Sequence, residues 1–124
     1  MTEKVQKEVQ RLIKKLNLDC TVEEFQNKVD WDDISAHQNL SEDFIRAFQD
    51  KVYWDNISRS QKLSDNFIRE FKKRVDWVCI SIYQKPSESF IRKFQDKVSW
   101  IYLSPNVNIF QNLLSKNSKN SKIK

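Results

Sequence analysis

Hydrophobic residues near the start of the chain fall at Val5, Val9, Leu12, Ile13 and Leu16, the i, i+4, i+7, i+8, i+11 spacing of an amphipathic helix. Beyond them a longer period takes over. Trp31, Trp54, Trp77 and Trp100 are each 23 residues after the last; Phe25, Phe48, Phe71 and Phe94 precede them at a fixed distance, as do Val29, Val52, Val75 and Val98. Ser35, Ser58, Ser81 and Ser104 follow in the same register, and three copies share Gln38/Gln61/Gln84, Phe44/Phe67/Phe90, Ile45/Ile68/Ile91 and Arg46/Arg69/Arg92.

Each copy reads as two short helices. Helix A starts at the tryptophan: in the first copy Asp30 is the N-cap, and Asp32 and Asp33 sit in the first turn, where the helix dipole favours negative charge. Val29 and Ile34 form the hydrophobic staple of this start, repeated as Val52/Ile57, Val75/Ile80 and Val98/Leu103. Helix B starts after Ser41, Ser64 or Ser87, each followed by an acidic residue, and runs through Phe48, Phe71 or Phe94. At about 100° per residue Phe44, Ile45, Phe48 and Val52 share one apolar arc, with Arg46 nearly opposite it.

A single copy buries too little apolar surface to offset the ordering of its backbone, so neighbouring copies must supply the remainder. The predicted fold is all-α, with short tandem two-helix repeats stacked as a small α-solenoid. Its predicted organisation is one helical-repeat domain over residues 1–114, divided into an N-terminal capping helix (1–20), repeats (21–99) and a degenerate C-terminal cap (100–114). Thr21 and Glu24 make a capping box that opens a shortened helix B ending near Val29, and Ser104-Pro105 is an N-cap and N1 pair for a last helix. Residues 115–124, SKNSKNSKIK, are expected to form a disordered basic tail.

The sequence contains no glycine, which argues against phosphate-cradling loops, dinucleotide fingerprints and nucleophile elbows, since each needs a close backbone approach or positive φ. Cys20 and Cys79 make no disulfide framework and read as free thiols of a reducing compartment. The charged N-terminus carries no signal-like or membrane-spanning stretch, so an intracellular, water-soluble protein is expected. Charge is uneven: residues 1–70 carry 11 basic and 14 acidic side chains, residues 71–124 carry 11 and 3. Such polarity can steer the molecule toward an acidic partner.

The tryptophans and phenylalanines at strict repeat spacing are expected to form the structural core; base stacking or a methyl-lysine cage is the functional alternative for the indoles. Gln38, Gln61 and Gln84 lie on the same helix face as the tryptophans. They read as a buried amide ladder bonding to the loop carbonyls between helices A and B, and as candidate acceptors for the indole N–H groups. A polar groove for a peptide is the alternative. Arg46, Arg69 and Arg92 are a candidate binding stripe, or else a solvated face on which Arg46 pairs with Asp50 and Arg92 with Asp96, while Arg69 faces Lys73. Lys72, Lys73, Arg74, Lys93 and Lys97 add a basic cluster suited to salt-dependent attraction for nucleic acid. The one histidine, His37, stands where other copies have Ser60 and Tyr83, and reads as a surface residue. No metal-ligand spacing or catalytic constellation emerges, and no cofactor is implied.

The units DKVYWDNISRSQKLSDNFIREF and VDWDDISAHQNLSEDFIRAF resemble tandem repeats of the form DW-x-x-IS-x-x-Q-x-LSE-x-FI-x-x-F, found in uncharacterised proteins of giant, mimivirus-like DNA viruses and in similar units of some phages. The match spans about residues 25 to 100; copy three departs at Cys79 and Pro86, and copy four lacks the Gln and LSE elements. The resemblance implies a helical scaffold of viral origin, acting in the host cytoplasm or viral factory, and brings no activity with it. The expected function is a non-enzymatic protein-interaction module. A nucleic-acid-associated protein using the arginines and the basic C-terminal half is the alternative, and a self-assembling structural unit a second one.

Overall fold

The computed structural model describes residues 1–84 and 86–97, and among these every regular element is helical. In chain order they are α1 (Glu3–Lys15), α2 (Phe25–Lys28), α3 (Trp31–His37), α4 (Glu42–Ala47), α5 (Trp54–Ser60), α6 (Asp65–Glu70), α7 (Trp77–Cys79), a π-helical turn Ile80–Gln84, and α8 (Glu88–Lys93). The chain divides into two compact units, Met1–Gln61 and Lys62–Lys124. Trp100, Val98, the Ser104-Pro105 pair, the expected C-terminal cap and the basic tail lie outside the described residues.

The starts and stops follow local chemistry. Ser41, Ser64 and Ser87 cap α4, α6 and α8, each hydroxyl accepting the N–H of the phenylalanine three residues on. Each of these helices then ends one residue before Phe48, Phe71 or Phe94, which sit at the C-cap rather than inside the helix. Asp30 caps α3 and Asp76 caps α7, whereas Tyr53 precedes α5 with no side-chain cap. Thr21 and Glu24 close the reciprocal box, with Thr21 N–H on Glu24 Oε1 at 3.0 Å and Glu24 N–H on Thr21 Oγ1 at 3.2 Å.

In the first unit, α1 packs on α4 and α3 on α5. Val5, Val9 and Leu12 of α1 are buried, as are Phe25, Ile34, Phe44, Ile45 and Phe48. The rings of Phe25, Trp31, Phe44 and Phe48 form one cluster with centroids 4.8 to 6.1 Å apart. Glu8 of α1 reaches the start of α4, accepting Ser41 N–H at 2.9 Å and Ser41 Oγ–H at 2.6 Å. In the second unit Phe67, Ile68, Phe71, Ile80, Phe90, Ile91 and Phe94 are buried, and Trp77 stacks on Phe90 and Phe94.

Buried glutamines join successive copies. Gln61 is 4% exposed; its Nε2 donates to Ser35 O at 2.9 Å and Gln38 O at 2.7 Å, and its Oε1 accepts Leu40 N–H at 3.0 Å. In the second unit Gln84 Oε1 likewise accepts Leu63 N–H at 3.1 Å. The loop each glutamine satisfies is that of the preceding copy, not its own. Ser35 works the same way, its buried hydroxyl accepting Tyr53 N–H at 3.2 Å.

The indole N–H groups do not use these glutamines. Trp31, Trp54 and Trp77 donate instead to the backbone carbonyls of Gln26, Gln49 and Lys72, each five residues earlier, at 2.9 to 3.0 Å. The amides of Gln61 and Gln84 are engaged with loop backbone instead. The tryptophans are also only half-buried, at the rim of the phenylalanine clusters, as suits a large ring with one polar edge.

Candidate functional site

Comparing helix A position by position separates two kinds of residue. Its first, fourth and fifth positions are Trp, Ile and Ser in all three described copies, and Gln follows at the eighth. The isoleucines and serines are buried, and the amides of Gln61 and Gln84 are bonded to backbone as described. The third, sixth and seventh positions differ in every copy and the second is Asp in two copies and Val in the third: Asp32-Asp33…Ala36-His37, Asp55-Asn56…Arg59-Ser60 and Val78-Cys79…Ile82-Tyr83. Nearly all of these are exposed or half-exposed, with Asn56 the exception. Helix geometry explains the division, because residues 1, 4, 5 and 8 lie on one face and 2, 3, 6 and 7 on the other.

In the first unit this outer face is polar and internally bonded. Asn56, 5% exposed, donates through Nδ2 to the Asp32 carboxylate and to Asp32 O, and its Oδ1 accepts from Arg59 Nη2. Asp30, Asp33 and His37 complete the wall of a shallow hollow of about 320 Å³. His37 is exposed there. A second, larger hollow beside α1 is bounded by Glu8 and Arg11, whose polar groups hold Ser41 and Asn39 O.

The second unit carries a different surface on the corresponding helix. Val78 is 45% exposed and Tyr83 52%, among the described residues two of the few large hydrophobic side chains left so open, with Ile82 half-buried. The winding differs as well: α7 is three residues long and passes into the π turn. Copy three has the β-branched Val78, Ile80 and Ile82 here, and Ser81 Oγ donates back to Trp77 O at 2.7 Å, a bond that bends helices.

The arginines are tied locally. Arg46 Nη1 lies 2.8 Å from Asp43 Oδ1, and Arg92 pairs with Glu88, carboxylates one turn toward the N-terminus. For Arg92 spacing alone points to Asp96, but α8 ends at Lys93, so the i, i+4 relation does not carry past that end. Arg69 donates to Asn66 Oδ1 at 2.9 Å and stands 5.9 Å from the centroid of the Phe90 ring, its Nε buried. Arg46 and Arg69 are half-buried and Arg92 is exposed. Lys72, Lys73 and Arg74 are exposed in the turn after α6, and Lys93 and Lys97 at and after the end of α8.

Reading residue types one at a time missed the outer face of helix A. A position-by-position comparison of the copies for what varies, rather than for what repeats, carries that signal. Among the described residues no group of three or more His, Cys, Asp or Glu side chains is placed to hold a metal ion, and no helix is long and apolar enough to cross a membrane. The chain matches no family model, no curated protein and no solved structure.

Proposed function

We propose that the chain is a non-enzymatic scaffold of stacked two-helix repeats, a small α-solenoid capped at its front by α1, that binds another protein through the outer face of its A helices. One observation carries this reading: on helix A the constant isoleucines and serines are buried and the constant tryptophans at least half-buried, while the positions that vary are mostly open to solvent. A framework of fixed backbone-satisfying residues with a changing exposed face is how a repeat array presents different chemistry along one surface. The resemblance of the unit to repeats of giant DNA viruses fits a viral protein acting on a host or viral factor.

Nucleic-acid binding by the arginines is the weaker reading, because Arg46, Arg69 and Arg92 each have a local partner that a phosphate would have to displace. Photo-crosslinkers placed singly at His37, Ser60 and Tyr83, and at Lys28 as a control, test the proposal in cells that contain the protein. It expects discrete polypeptide adducts from the helix A positions and none from Lys28. Equal capture from all four sites, or affinity for generic duplex DNA or RNA that falls steeply with added salt, would overturn it.

A further inference from the structure

Val78, Ile82 and Tyr83 occupy positions the fold itself leaves open, since Asp32/Asp55, Ala36/Arg59 and His37/Ser60 stand there in the other copies. Their exposure therefore brings no packing return. The π turn sharpens the arrangement. A regular helix sets Tyr83 about 140° around the axis from Val78, whereas the wider π winding, roughly 4.4 residues per turn, closes that angle to about 90° and brings Ile82 almost in line with Val78. Three apolar side chains are thereby gathered into one strip.

The surroundings of the strip are basic. Lys72 and Lys73 are exposed in the turn that leads into α7, and the described residues of the second unit, 62–84 and 86–97, carry 8 basic and 5 acidic side chains. The nearby carboxylate of Asp76 is engaged as the helix cap, accepting Val78 N–H and Cys79 N–H. An apolar strip of this kind selects apolar side chains, and the flanking charge selects the acidic residues around them.

We infer that the Val78–Ile82–Tyr83 strip is a docking site for an acidic segment of another protein carrying apolar side chains on one face. The inference rests on the scaffold reading and adds to it the chemistry of the partner and the copy that receives it. Binding would bury the valine, isoleucine and tyrosine against the partner's apolar face, with Lys72 and Lys73 opposite its carboxylates.

Fluorescence anisotropy of the full chain with three synthetic peptides of about 14 residues provides the test: one with Leu on one helical face and Glu elsewhere, one with Lys replacing Glu, and one with Ser replacing Leu. The Leu/Glu peptide is expected to bind, and each of the others to bind at least roughly tenfold more weakly. The double variant V78D/Y83S, which gives copy three the residues copy two carries at those positions, should lose at least roughly tenfold in affinity with its melting temperature unchanged. K72E/K73E should lose roughly threefold to tenfold and K28A nothing. Equal binding by the wild type and V78D/Y83S, equal binding of the Lys peptide, or no binding of any peptide overturns the inference. So does light scattering that shows the strip occupied by a second copy, with association abolished in V78D/Y83S. Crosslinks from His37 and Ser60 with no peptide binding would retire the strip and leave the scaffold reading standing.

Discussion

The first unit closes the outer side of its A helices with polar bonds between copies, Asp32 to Asn56 to Arg59, while the second unit leaves the corresponding side apolar and open at Val78 and Tyr83. Beneath these different surfaces the inner framework is the same. Phe44 and Phe90 are both fully buried, Ser41 and Ser87 both cap the helices that carry them, and Phe48 and Phe94 lie 4.8 and 4.7 Å from those rings. The buried framework and the varied outer face thus lie at different positions of one 23-residue unit.

The seam between copies differs too. Gln61 satisfies three backbone groups of the loop before it, but Gln38 Oε1 is buried with no hydrogen-bond partner. The position that would serve Gln38 by analogy with Leu40 is Asn17, which closes α1 with φ at 56° and gives its N–H to Lys14 O. That N–H is thus taken within its own turn. At the other end of the series Pro86 has no N–H to give, and the position 23 residues after Gln84 is Val107, whose side chain accepts no hydrogen bond. Donor and acceptor disappear from the pattern together.

The largest expected effects test whether the framework is shared. Phe44→Ala and Phe90→Ala should each cost about 3 to 5 kcal/mol in urea unfolding, and a gap between them of more than about 2 kcal/mol would break the equivalence of the two units. Next comes the seam: Gln61→Leu should cost about 2 to 4 kcal/mol by stranding Leu40 N–H, Ser35 O and Gln38 O, whereas Gln38→Leu should change stability by less than about 1 kcal/mol. Equal costs at the two glutamines would show that the preceding loop is not what the amide serves. On the outer face, Asn56→Ala should cost about 1 kcal/mol by the same measurement, since it removes the bonds to Asp32 and Arg59.

The smallest effect belongs to the entry of the repeat array. The Thr21 backbone N–H and then its hydroxyl hold the Glu24 carboxyl below its ordinary value. A carboxyl whose pKa is depressed by folding contributes stability that is present above the unfolded value and lost as pH falls through the lower folded one. A carbon-detected NMR titration should place the Glu24 midpoint below that of a free glutamate, and Thr21→Ala should move it upward. An unshifted midpoint in both chains would remove the capping box as a feature of the first unit in solution.

Much of the local structure was legible because it depends on near neighbours. The N-caps Asp30, Ser41, Ser64 and Ser87, the box at Thr21 and Glu24, and the apolar arc of Phe44, Ile45 and Phe48 follow from residues within one or two turns of each other. The indole acceptors were misjudged for the opposite reason. Repeat spacing places Trp and Gln on one face but does not say which acceptor the indole meets, and the carbonyl five residues back takes its N–H in each described copy. Arg92 turns to Glu88 rather than Asp96 because α8 ends at Lys93, short of the helix the spacing rule assumes.

Helical period, helix starts and the identity of the buried faces were determined by the sequence alone, because hydrophobic spacing and capping act within a few residues. Only the tertiary structure decided which loop Gln61 serves, that Glu8 holds the start of α4, that copy three winds as a π turn, and that Val78 and Tyr83 stay open. These outcomes turn on which groups from distant parts of the chain arrive within hydrogen-bonding or contact distance, and a one-dimensional pattern does not contain that geometry.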